Sequence, residues 1–376
     1  MGAKRPPTMG VEEEFFLVDP HSRAPEPAAD RVVARAAERL GDLVAGEFSR
    51  YQVEVKTPPC ADATTLLEHA GRLRTELAKA AAAEGLWVCA SGTPVVGGRE
   101  LVAPVAGHPR YHAGVNQYRA MLDDFTLCAQ HVHIHLPDRE LAVLVSNHLR
   151  AWLPLVVALS ANSPMYRGRD TGYASWRWAV RSRFPCLGPP PFFESLRDYD
   201  ETATAMAELE AMLDADLPFW DVRPNPHVPT VEVRSMDVSA DIDDMLALTV
   251  LIRALVTTVA ARAIGGDPGP RVSGELLRAA CWRAARDGWA ARGPDPMSGR
   301  VIPVSEQTRR LIEHVRSALQ DAGDIDRVAA FVRRLATRGC GADRQRAALA
   351  RRGSYAGVVD DLVGRTTAVN ARPAAD

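Results

Sequence analysis

The stretch Met9-Gly-Val-Glu-Glu-Glu-Phe-Phe-Leu-Val-Asp19 decides how the rest of the chain is interpreted. Apolar residues surround three consecutive glutamates, and Asp19-Pro20 ends the run, which predicts a β-strand. Because side chains alternate along a strand, Glu12 and Glu14 share one face, roughly 7 Å apart, and Glu13 lies on the other. The paired carboxylates repel each other unless a cation lies between them, and their hard oxygens suit Mg²⁺ or Mn²⁺. A solvated acidic edge strand is the alternative interpretation of this stretch.

The length and charge of the chain narrow the classes of protein to which it can belong. With 376 residues, of which 47% are hydrophobic, the chain can bury a substantial core in one large domain or two modest ones. Its formal net charge of −2 gives no electrostatic basis for binding nucleic acid or an anionic membrane. The first ten residues lack an apolar segment, and no charge-free apolar run of about 18 residues follows, so we expect neither a signal peptide nor a membrane span.

The cysteines indicate the compartment in which the protein works. The six cysteines are Cys60, Cys89, Cys128, Cys186, Cys281 and Cys340. They are scattered and form no CxxC pair, which argues against a disulfide framework and against a zinc ribbon. We therefore expect a reducing, cytoplasmic location.

The spacing of apolar residues predicts strands and helices in an irregular order. Strands are predicted over 10–19, 49–57, 86–90, 128–136 and 230–236. Helices are predicted over 30–40, 62–84, 139–162, 199–214, 241–263 and most of 273–363. A loop with a short helix is predicted over 98–120, and a long irregular segment of the kind that usually serves function over 163–198. Because strands and helices do not alternate regularly, we predict an antiparallel or mixed sheet with helices on one side.

Four predicted strands carry metal-binding or charged side chains on one face. These side chains are Glu12 and Glu14; Gln52 and Glu54; His131, His133 and His135; and Glu232 and Arg234. A wet sheet face normally carries Lys, Thr and Ser, so this recurrence on separate strands predicts one shared basin. Such a basin could hold two or three Mg²⁺ ions together with nucleotide phosphates, and the ions would stabilise charge on a transferring phosphoryl group.

The His131-Val-His133-Ile-His135 motif has a second interpretation, because HxH on a strand also suits zinc or iron. Carboxylates outnumber histidines in the predicted basin, which favours a hard cation with at most one histidine ligand. Among the three, His133 is the first candidate for a functional role, His131 the second and His135 the third. A buried structural role remains open for at least one of them.

An arginine-rich segment follows the helix predicted over 139–162. Its arginines are Arg167, Arg169, Arg177, Arg181 and Arg183. A solvated basic loop that pairs with surface acids is one interpretation. Glycines and aromatic residues alternate with the arginines, however, as they do in loops that enclose a substrate. Phosphate groups or an amino-acid carboxylate are the natural ligands of such a loop.

Five ordered motifs resemble one known family. They are Gly10-Val-Glu-Glu-Glu-Phe15, Gln52-Val-Glu54, Cys128-Ala-Gln-His-Val-His-Ile134, Ala161-Asn-Ser-Pro with Gly168-Arg-Asp-Thr-Gly-Tyr173, and Pro229-Thr-Val-Glu-Val-Arg-Ser-Met-Asp237. The chain resembles the bacterial carboxylate–amine ligases of the group-2 glutamate–cysteine ligase type, also called YbdK-like. The resemblance is clear over 8–265 and looser towards the end. It implies an α+β, glutamine-synthetase-like fold, in which a curved antiparallel sheet forms a funnel and helices pack outside it.

The same resemblance implies a chemistry and a set of site residues. ATP and Mg²⁺ or Mn²⁺ serve to phosphorylate a carboxylate, expected to be that of glutamate, and an amine from cysteine or another amino acid attacks the acyl phosphate. The implied metal ligands are Glu12, Glu14, Glu54, His133 and Glu232. The implied catalytic residues are Arg234, Glu54 and Glu232. The residues expected to bind ATP or substrate are Gln52, His131, Arg167, Arg169, Arg177, Arg181 and Arg234.

The expected organisation is a single catalytic domain over 1–376, with a core over 8–265 and a helical C-terminal part over 273–363. The apolar helices near 139–162 and 241–263 could form a homodimer face, although we favour core positions for most of their residues. The chain departs from the family pattern at Gln130, His135 and Ser235-Met236, positions expected near the acceptor or metal pocket.

Four functions other than a glutamate–cysteine ligase stay open at this point. They are a ligase for another amine in specialised metabolism, a phosphagen-type kinase on a related fold, a binding protein that has lost catalysis, and a zinc hydrolase built on HxHxH. The four retained glutamates argue against the loss of catalysis. Release of ADP that depends on an amine would separate a ligase from the last three.

Overall fold

The computed structural model describes residues 6–97 and 104–368, so the part of the predicted loop at 98–103 lies outside the described residues. The strands are β1 (Met9–Val18), β2 (Val44–Gly46), β3 (Gln52–Lys56), β4 (Trp87–Cys89), β5 (Ala129–His135), β6 (Met165–Tyr166), β7 (Arg169–Asp170), β8 (Val222–Pro224), β9 (Thr230–Asp237), β10 (Arg292–Asp295) and β11 (Arg300–Pro303). Seven of them form one antiparallel sheet in the order β2-β3-β1-β5-β9-β8, with β4 paired to β1. The remaining four form the hairpins β6–β7 and β10–β11.

Fourteen helices in the described ranges surround this sheet. They are α1 (Ala29–Leu40), α2 (Ala63–Ala83), α3 (Pro109–Tyr118), α4 (Arg139–Leu149), α5 (Leu153–Ser160), α6 (Trp176–Arg181), α7 (Leu196–Glu208), α8 (Ile242–Ile264), α9 (Gly274–Asp287), α10 (Val304–His314), α11 (Arg316–Asp321), α12 (Ile325–Arg338), α13 (Gly341–Arg352) and α14 (Tyr355–Thr367). The predicted antiparallel sheet with helices outside it is confirmed.

Several elements differ from the predicted ones for local reasons. The helix predicted over 139–162 is two helices, α4 and α5, bent by 71°. Pro154 lies in the first turn of α5, where it has no amide hydrogen with which to continue the hydrogen-bond ladder of α4. The short edge strands β2 and β8 and the β10–β11 hairpin were not predicted, and the segment predicted as irregular contains β6, β7 and α6.

The apolar helices form the core beneath the sheet. Every residue of α5 is buried, as are most residues of α4 and α8, so the residues favoured as core are confirmed as core. By length and composition α8 could cross a membrane, but 78% of its apolar window is buried inside the fold, as in a core helix. The homodimer stays a prediction.

Glu13 points away from Glu12 and Glu14, as the alternation predicted, and lies buried beneath the sheet. There Arg74 of α2 donates to it, with Arg74 Nε 3.1 Å from Glu13 Oε2. Arg74 also donates to the carbonyls of Ser239 and Ala240 at 2.8 and 2.9 Å. This arginine therefore ties β1, α2 and the turn between β9 and α8 together, which holds the two flanking glutamates in register.

The C-terminal helices are fastened to the same core. On α13, the Gln345 side-chain amide donates to the backbone carbonyl and the side-chain oxygen of Asn162, at 2.9 and 2.8 Å. The amide nitrogen of Asn162 in turn donates to Asp237 Oδ2 at 2.8 Å. On α14, the Thr366 hydroxyl accepts from the Ala90 amide at 3.0 Å. These contacts join the helical C-terminal part to the edge of the sheet.

Candidate active site

The register of the sheet brings the predicted site residues together. Glu14 pairs with Glu54 across β1 and β3, Glu12 with His131 across β1 and β5, and His133 with Glu232 across β5 and β9. Directly opposed residues of antiparallel strands point to the same face. We call the resulting group the acidic basin, and it comprises Glu12, Glu14, Glu54, His131, His133 and Glu232.

The distances within the acidic basin are short enough for donors to converge on one ion. His131 Nδ1 lies 3.1 Å from Glu12 Oε2, and His133 Nε2 lies 3.5 Å from Glu12 Oε1. One ligand atom each from Glu12, His131 and Glu232 lie within 4.8 Å of one another. A divalent cation bound among them would have two carboxylates and one imidazole as ligands.

Glu232 is the most strongly supported carboxylate of the basin. Arg223 Nε donates to it at 2.9 Å and the Asn225 amide at 2.8 Å, and Arg234 Nη1 donates to its other oxygen. Burial raises the pKa of Glu232, but Arg223 and Arg234 outweigh that effect and hold it well below its usual value. Glu232 is therefore held ionised and in a fixed orientation, as a metal ligand must be.

The two buried histidines differ in charge. Burial, with Arg234 nearby, lowers the pKa of His131 to about 3, so this imidazole is neutral and has a lone pair to offer. Burial also acts to lower the pKa of His133, but Glu232 and Glu12 outweigh it and raise that pKa. His133 Nδ1 lies 3.0 Å from the Thr230 hydroxyl, which leaves Nε2 facing Glu12. This favours His131 over His133 as the histidine ligand.

The carboxylates on the β3 side of the basin are crowded. Burial, together with the neighbouring Glu47, raises the pKa of Glu14 to about 8. Burial, Glu12 and Glu47 likewise raise the pKa of Glu54 well above its usual value. So many buried carboxylates cannot all ionise without added positive charge. In addition, the buried Gln52 Oε1 and His133 Nε2 have no hydrogen-bond partner among the described residues. The donor set therefore fits hard divalent cations.

Glu47 was missed by the sequence reasoning. It lies between β2 and β3, in a stretch assigned to no predicted element, and it hydrogen-bonds with Glu54. Burial raises the pKa of its carboxyl group. Arg223 was missed as well, because β8 is only three residues long and too short to show a strand period. The signal in the sequence that could have identified Arg223 was its position shortly before the strand predicted over 230–236.

The predicted arginine segment divides into two parts. Arg177 and Arg181 lie four residues apart on α6, which turns both inward. Arg177 lies 3.7 Å from Asp237 and Arg181 donates to Asp221 at 2.7 Å. Both line the cavity above the sheet, together with Arg234 and Gln52. The Nε atoms of Arg177 and Arg234 are buried and without a hydrogen-bond partner in the described part of the chain.

The other arginines of the segment lie further out. Arg167 and Arg183 approach Asp124, at 3.9 and 3.6 Å. Arg169 is exposed on the β6–β7 hairpin and is not among the described residues that line the cavity. The segment therefore does not enclose a ligand as one loop, because the β6–β7 hairpin carries Arg169 outward while α6 carries its arginines inward.

Three residues at which the chain departs from the family pattern lie away from the pocket, contrary to expectation. Gln130 alternates with His131, so it points to the core, where its amide donates to the Met245 carbonyl at 3.3 Å. Met236 pairs with Gln130 and is buried in the same core. His135 is exposed at the end of β5, so the three histidines do not converge as a zinc site of the HxHxH type requires.

Comparisons with known proteins bear on the family. The family model described as Glutamate-cysteine ligase family 2 (GCS2) matches residues 8–364. Two curated relatives are named putative glutamate–cysteine ligase 2-1 and putative glutamate–cysteine ligase 2. The protein from Nocardia farcinica is 41% identical over 360 residues, covering 96% of this chain and 93% of its own. The protein from Salinispora arenicola is 42% identical over 367 residues, covering 96% and 95%.

Solved structures share the fold at low sequence identity. The glutamate–cysteine ligase of Francisella tularensis, solved with AMP, has a TM-score of 0.71 at 10% identity and covers 98% of this chain and 91% of its own. A bifunctional glutathione synthetase from Pasteurella multocida has a TM-score of 0.68 at 14% identity, covering 97% and 52%. With the family match over nearly the whole chain, the protein belongs to glutamate–cysteine ligase family 2, whose members are ATP-dependent carboxylate–amine ligases.

Proposed function

We propose that this enzyme joins glutamate to the amine of cysteine, another amino acid or another amine, with Mg²⁺ or Mn²⁺ and through an acyl phosphate. The terminal phosphoryl group of ATP passes to the carboxylate oxygen and ADP leaves. The amine nitrogen then attacks the acyl carbon, the C–N bond forms, the C–O bond to phosphate breaks, and the amine loses a proton. The observation that carries this proposal is the convergence of four strands on the acidic basin.

Glu12, His131 and Glu232 are the ligands best placed for one cation, since their donor atoms lie within 4.8 Å of one another. Glu14 and Glu54 face each other beside this group and supply oxygens for a second cation. Bound Mg²⁺ would neutralise charge on the phosphates of ATP. His133, predicted as a ligand, orients Glu12 in this arrangement.

Arg234 is the proposed contact to the transferring phosphoryl group. Its Nη1 is held by Glu232, its buried Nε has no partner among the described residues, and the residue lines the cavity. Arg177 and Arg181, anchored by Asp237 and Asp221, extend the positive wall on which phosphate or a substrate carboxylate can lie. The chain thus supplies positioning and charge neutralisation, which is what acyl-phosphate chemistry requires.

The free thiols support the expected location. All six cysteines are buried and unpaired, which suits a reducing compartment such as the cytoplasm.

A coupled ADP-release assay tests this function. Purified protein with ATP, Mg²⁺ and glutamate is offered a panel of amino acids and amines, and mass spectrometry identifies the products. We expect ADP release that depends on both glutamate and an amine, with an amide product. A phosphorylated substrate without any amide would instead identify a phosphagen-type kinase.

A further inference from the structure

An aromatic pocket opens directly onto the acidic basin. The cavity that Glu14, His131 and Arg234 line has a volume of about 150 Å³. Its far side consists of five rings in edge-to-face contact, which we call the aromatic wall: Tyr111, Phe48, Phe125, Phe184 and Tyr118. Successive ring centroids lie 5.1 to 6.0 Å apart. The proposed chemistry leaves this wall without a role.

The size and lining of the cavity select for a ring-sized apolar group. An apolar cavity of about 150 Å³ is large enough to hold a benzene molecule. The small –CH₂SH side chain of cysteine would leave most of this space empty and most of the aromatic wall without contacts. Edge-to-face packing against existing rings favours a planar aromatic occupant over a branched aliphatic one.

The amine, rather than glutamate, is the substrate that matches this cavity. The cavity carries charges of both signs, since Glu14 and Glu47 line it together with Arg110, Arg177, Arg181 and Arg234. Charge therefore does not choose between the two substrates, but glutamate, the proposed carboxylate substrate, has no ring to pack on the aromatic wall. Ring faces beside the carboxylates add a cation–π contribution for an ammonium.

A purine ring is the competing occupant. Its edge nitrogens need hydrogen-bond partners, and leaving them unpaired in a closed pocket is unfavourable. The Tyr118 hydroxyl is already engaged, since it donates to the Ala211 carbonyl at 3.4 Å and lies 3.5 Å from the Cys186 thiol. The five rings themselves therefore suit an apolar ring better than a base, whereas Gln52 Oε1 and Arg110 Nη2, elsewhere in the cavity lining, have no partner among the described residues and are available to a base.

We propose that the amine substrate of this ligase carries a bulky planar apolar group that packs against the aromatic wall, so that the enzyme prefers arylalkyl amines or aromatic amino acids to cysteine. This inference rests on the proposed function and names the class of its acceptor. Gly114 of α3 lines the pocket beside Leu122 and Leu213, and a Cβ at this position would lie 3.6 Å from Leu213 Cδ1 and 3.7 Å from Leu122 Cδ1.

Binding to the full-length protein tests the inference without turnover. Isothermal titration compares 2-phenylethylamine with ethylamine, which differ by the phenyl ring alone. We expect 2-phenylethylamine to bind on the order of 10- to 100-fold more tightly, the scale expected for burying one aromatic ring. Equal affinities would overturn the inference. Displacement of 2-phenylethylamine by adenosine would also overturn it, because the pocket would then be a purine site.

A variant that fills the pocket provides the second test. In the ADP-release assay with glutamate, Gly114→Leu should lower the ratio of kcat/KM for phenylalanine to that for alanine by about tenfold or more. Gly114→Ala, whose Cβ makes ordinary contacts, should lower the ratio less. Gly364→Leu is the matched control, since Gly364 is exposed on α14 with open space around it, and it should keep the wild-type ratio.

The outcomes separate the two proposals. ADP release with cysteine or alanine but none with any ring-bearing amine would overturn the inference and leave the proposed function standing. Ring-dependent binding without ADP release from any amine would contradict the proposed function and, with it, the assignment of an acceptor. An unchanged selectivity ratio in folded Gly114→Leu would show that the ring does not occupy the pocket.

Discussion

Glu12 occupies a position on which both buried histidines depend. Its two oxygens face His131 and His133, at 3.1 and 3.5 Å, and its side chain is about a quarter exposed. Burial acts to raise its pKa, but the two histidines beside it outweigh burial and lower it. Glu232 is different, because Arg223 and Arg234 surround it in the interior and depend on its charge. Of the two carboxylates, Glu12 is therefore the one to change without threatening the fold.

Glu12→Gln should reduce amine-dependent ADP release by on the order of 10²-fold or more, because a ligand charge and the partner of two histidines are lost together. Far-UV circular dichroism should be unchanged. Glu201→Gln, on the exposed surface of α7, is the control and should retain full activity. A Glu12→Gln enzyme with wild-type turnover would remove Glu12 from the metal site.

Arg234→Ala should lower ADP release by on the order of 10²-fold or more, the scale of losing one charge-stabilising donor. It also frees one oxygen of Glu232, so the free energy of unfolding should be measured alongside the rate. Arg197→Ala, at a highly exposed site on α7, controls for the loss of an arginine. If the folded variant releases ADP at the normal rate, Arg234 does not contact phosphate.

At the scale of elements, alternation along the strands carried most of the information in the sequence. Polar residues recurred every second position on β1, β3, β5 and β9, so the composition of one sheet face could be predicted before the strand order was known. The sequence could not show that β8 joins the sheet, since three residues contain no period. Nor could it show that Glu47 faces Glu54, because a loop residue has no regular direction.

The buried pair of Glu13 and Arg74 offers a test of how β1 is held. Arg74→Met leaves Glu13 charged and unpaired beneath the sheet, so the free energy of unfolding should fall by roughly 3–5 kcal/mol in urea titrations. The double variant Glu13→Leu with Arg74→Met should recover much of this loss, because no lone charge remains.

The exposed pair of Arg197 and Glu201 is the control for that measurement, and breaking it should change the stability by less than about 1 kcal/mol. A similar small change in Arg74→Met would mean that the sheet does not depend on the buried pair.

At the scale of the whole molecule, the acidic basin couples stability to both pH and metal. The pKa values of Glu14 and Glu54 are raised in the fold, that of Glu14 to about 8 from 4.5. The folded metal-free protein therefore binds protons that the unfolded chain releases. The stability from this source is fully present below about pH 4.5 and is lost as the pH rises towards 8. Glu12 and Glu232, with lowered pKa values, stay ionised over this range, and His131, whose pKa is lowered to about 3, opposes the trend only below about pH 6.5.

It follows that Mg²⁺ should raise the melting temperature more at pH 8 than at pH 6, since the cation replaces the lost protons. Thermal unfolding with Mg²⁺ and with EDTA at the two pH values gives the comparison. Glu14→Gln should reduce the difference between the rises in melting temperature that Mg²⁺ causes at the two pH values. An equal rise in melting temperature at both pH values would show that the basin carboxylates do not take up the metal.

The hydrogen bonds from Gln345 through Asn162 to Asp237 have a practical consequence for anyone who shortens this protein. Asp237 also lies 3.7 Å from Arg177, so α13 is connected to the cavity through the Gln345 side chain, the Asn162 backbone amide and the Asp237 carboxylate. A fragment that stops before α13 would keep all six residues of the acidic basin but lose the hydrogen bonds that support Asp237 and, through it, Arg177. Trimming the C-terminus to obtain a minimal enzyme would thus damage the machinery that such trimming aims to isolate.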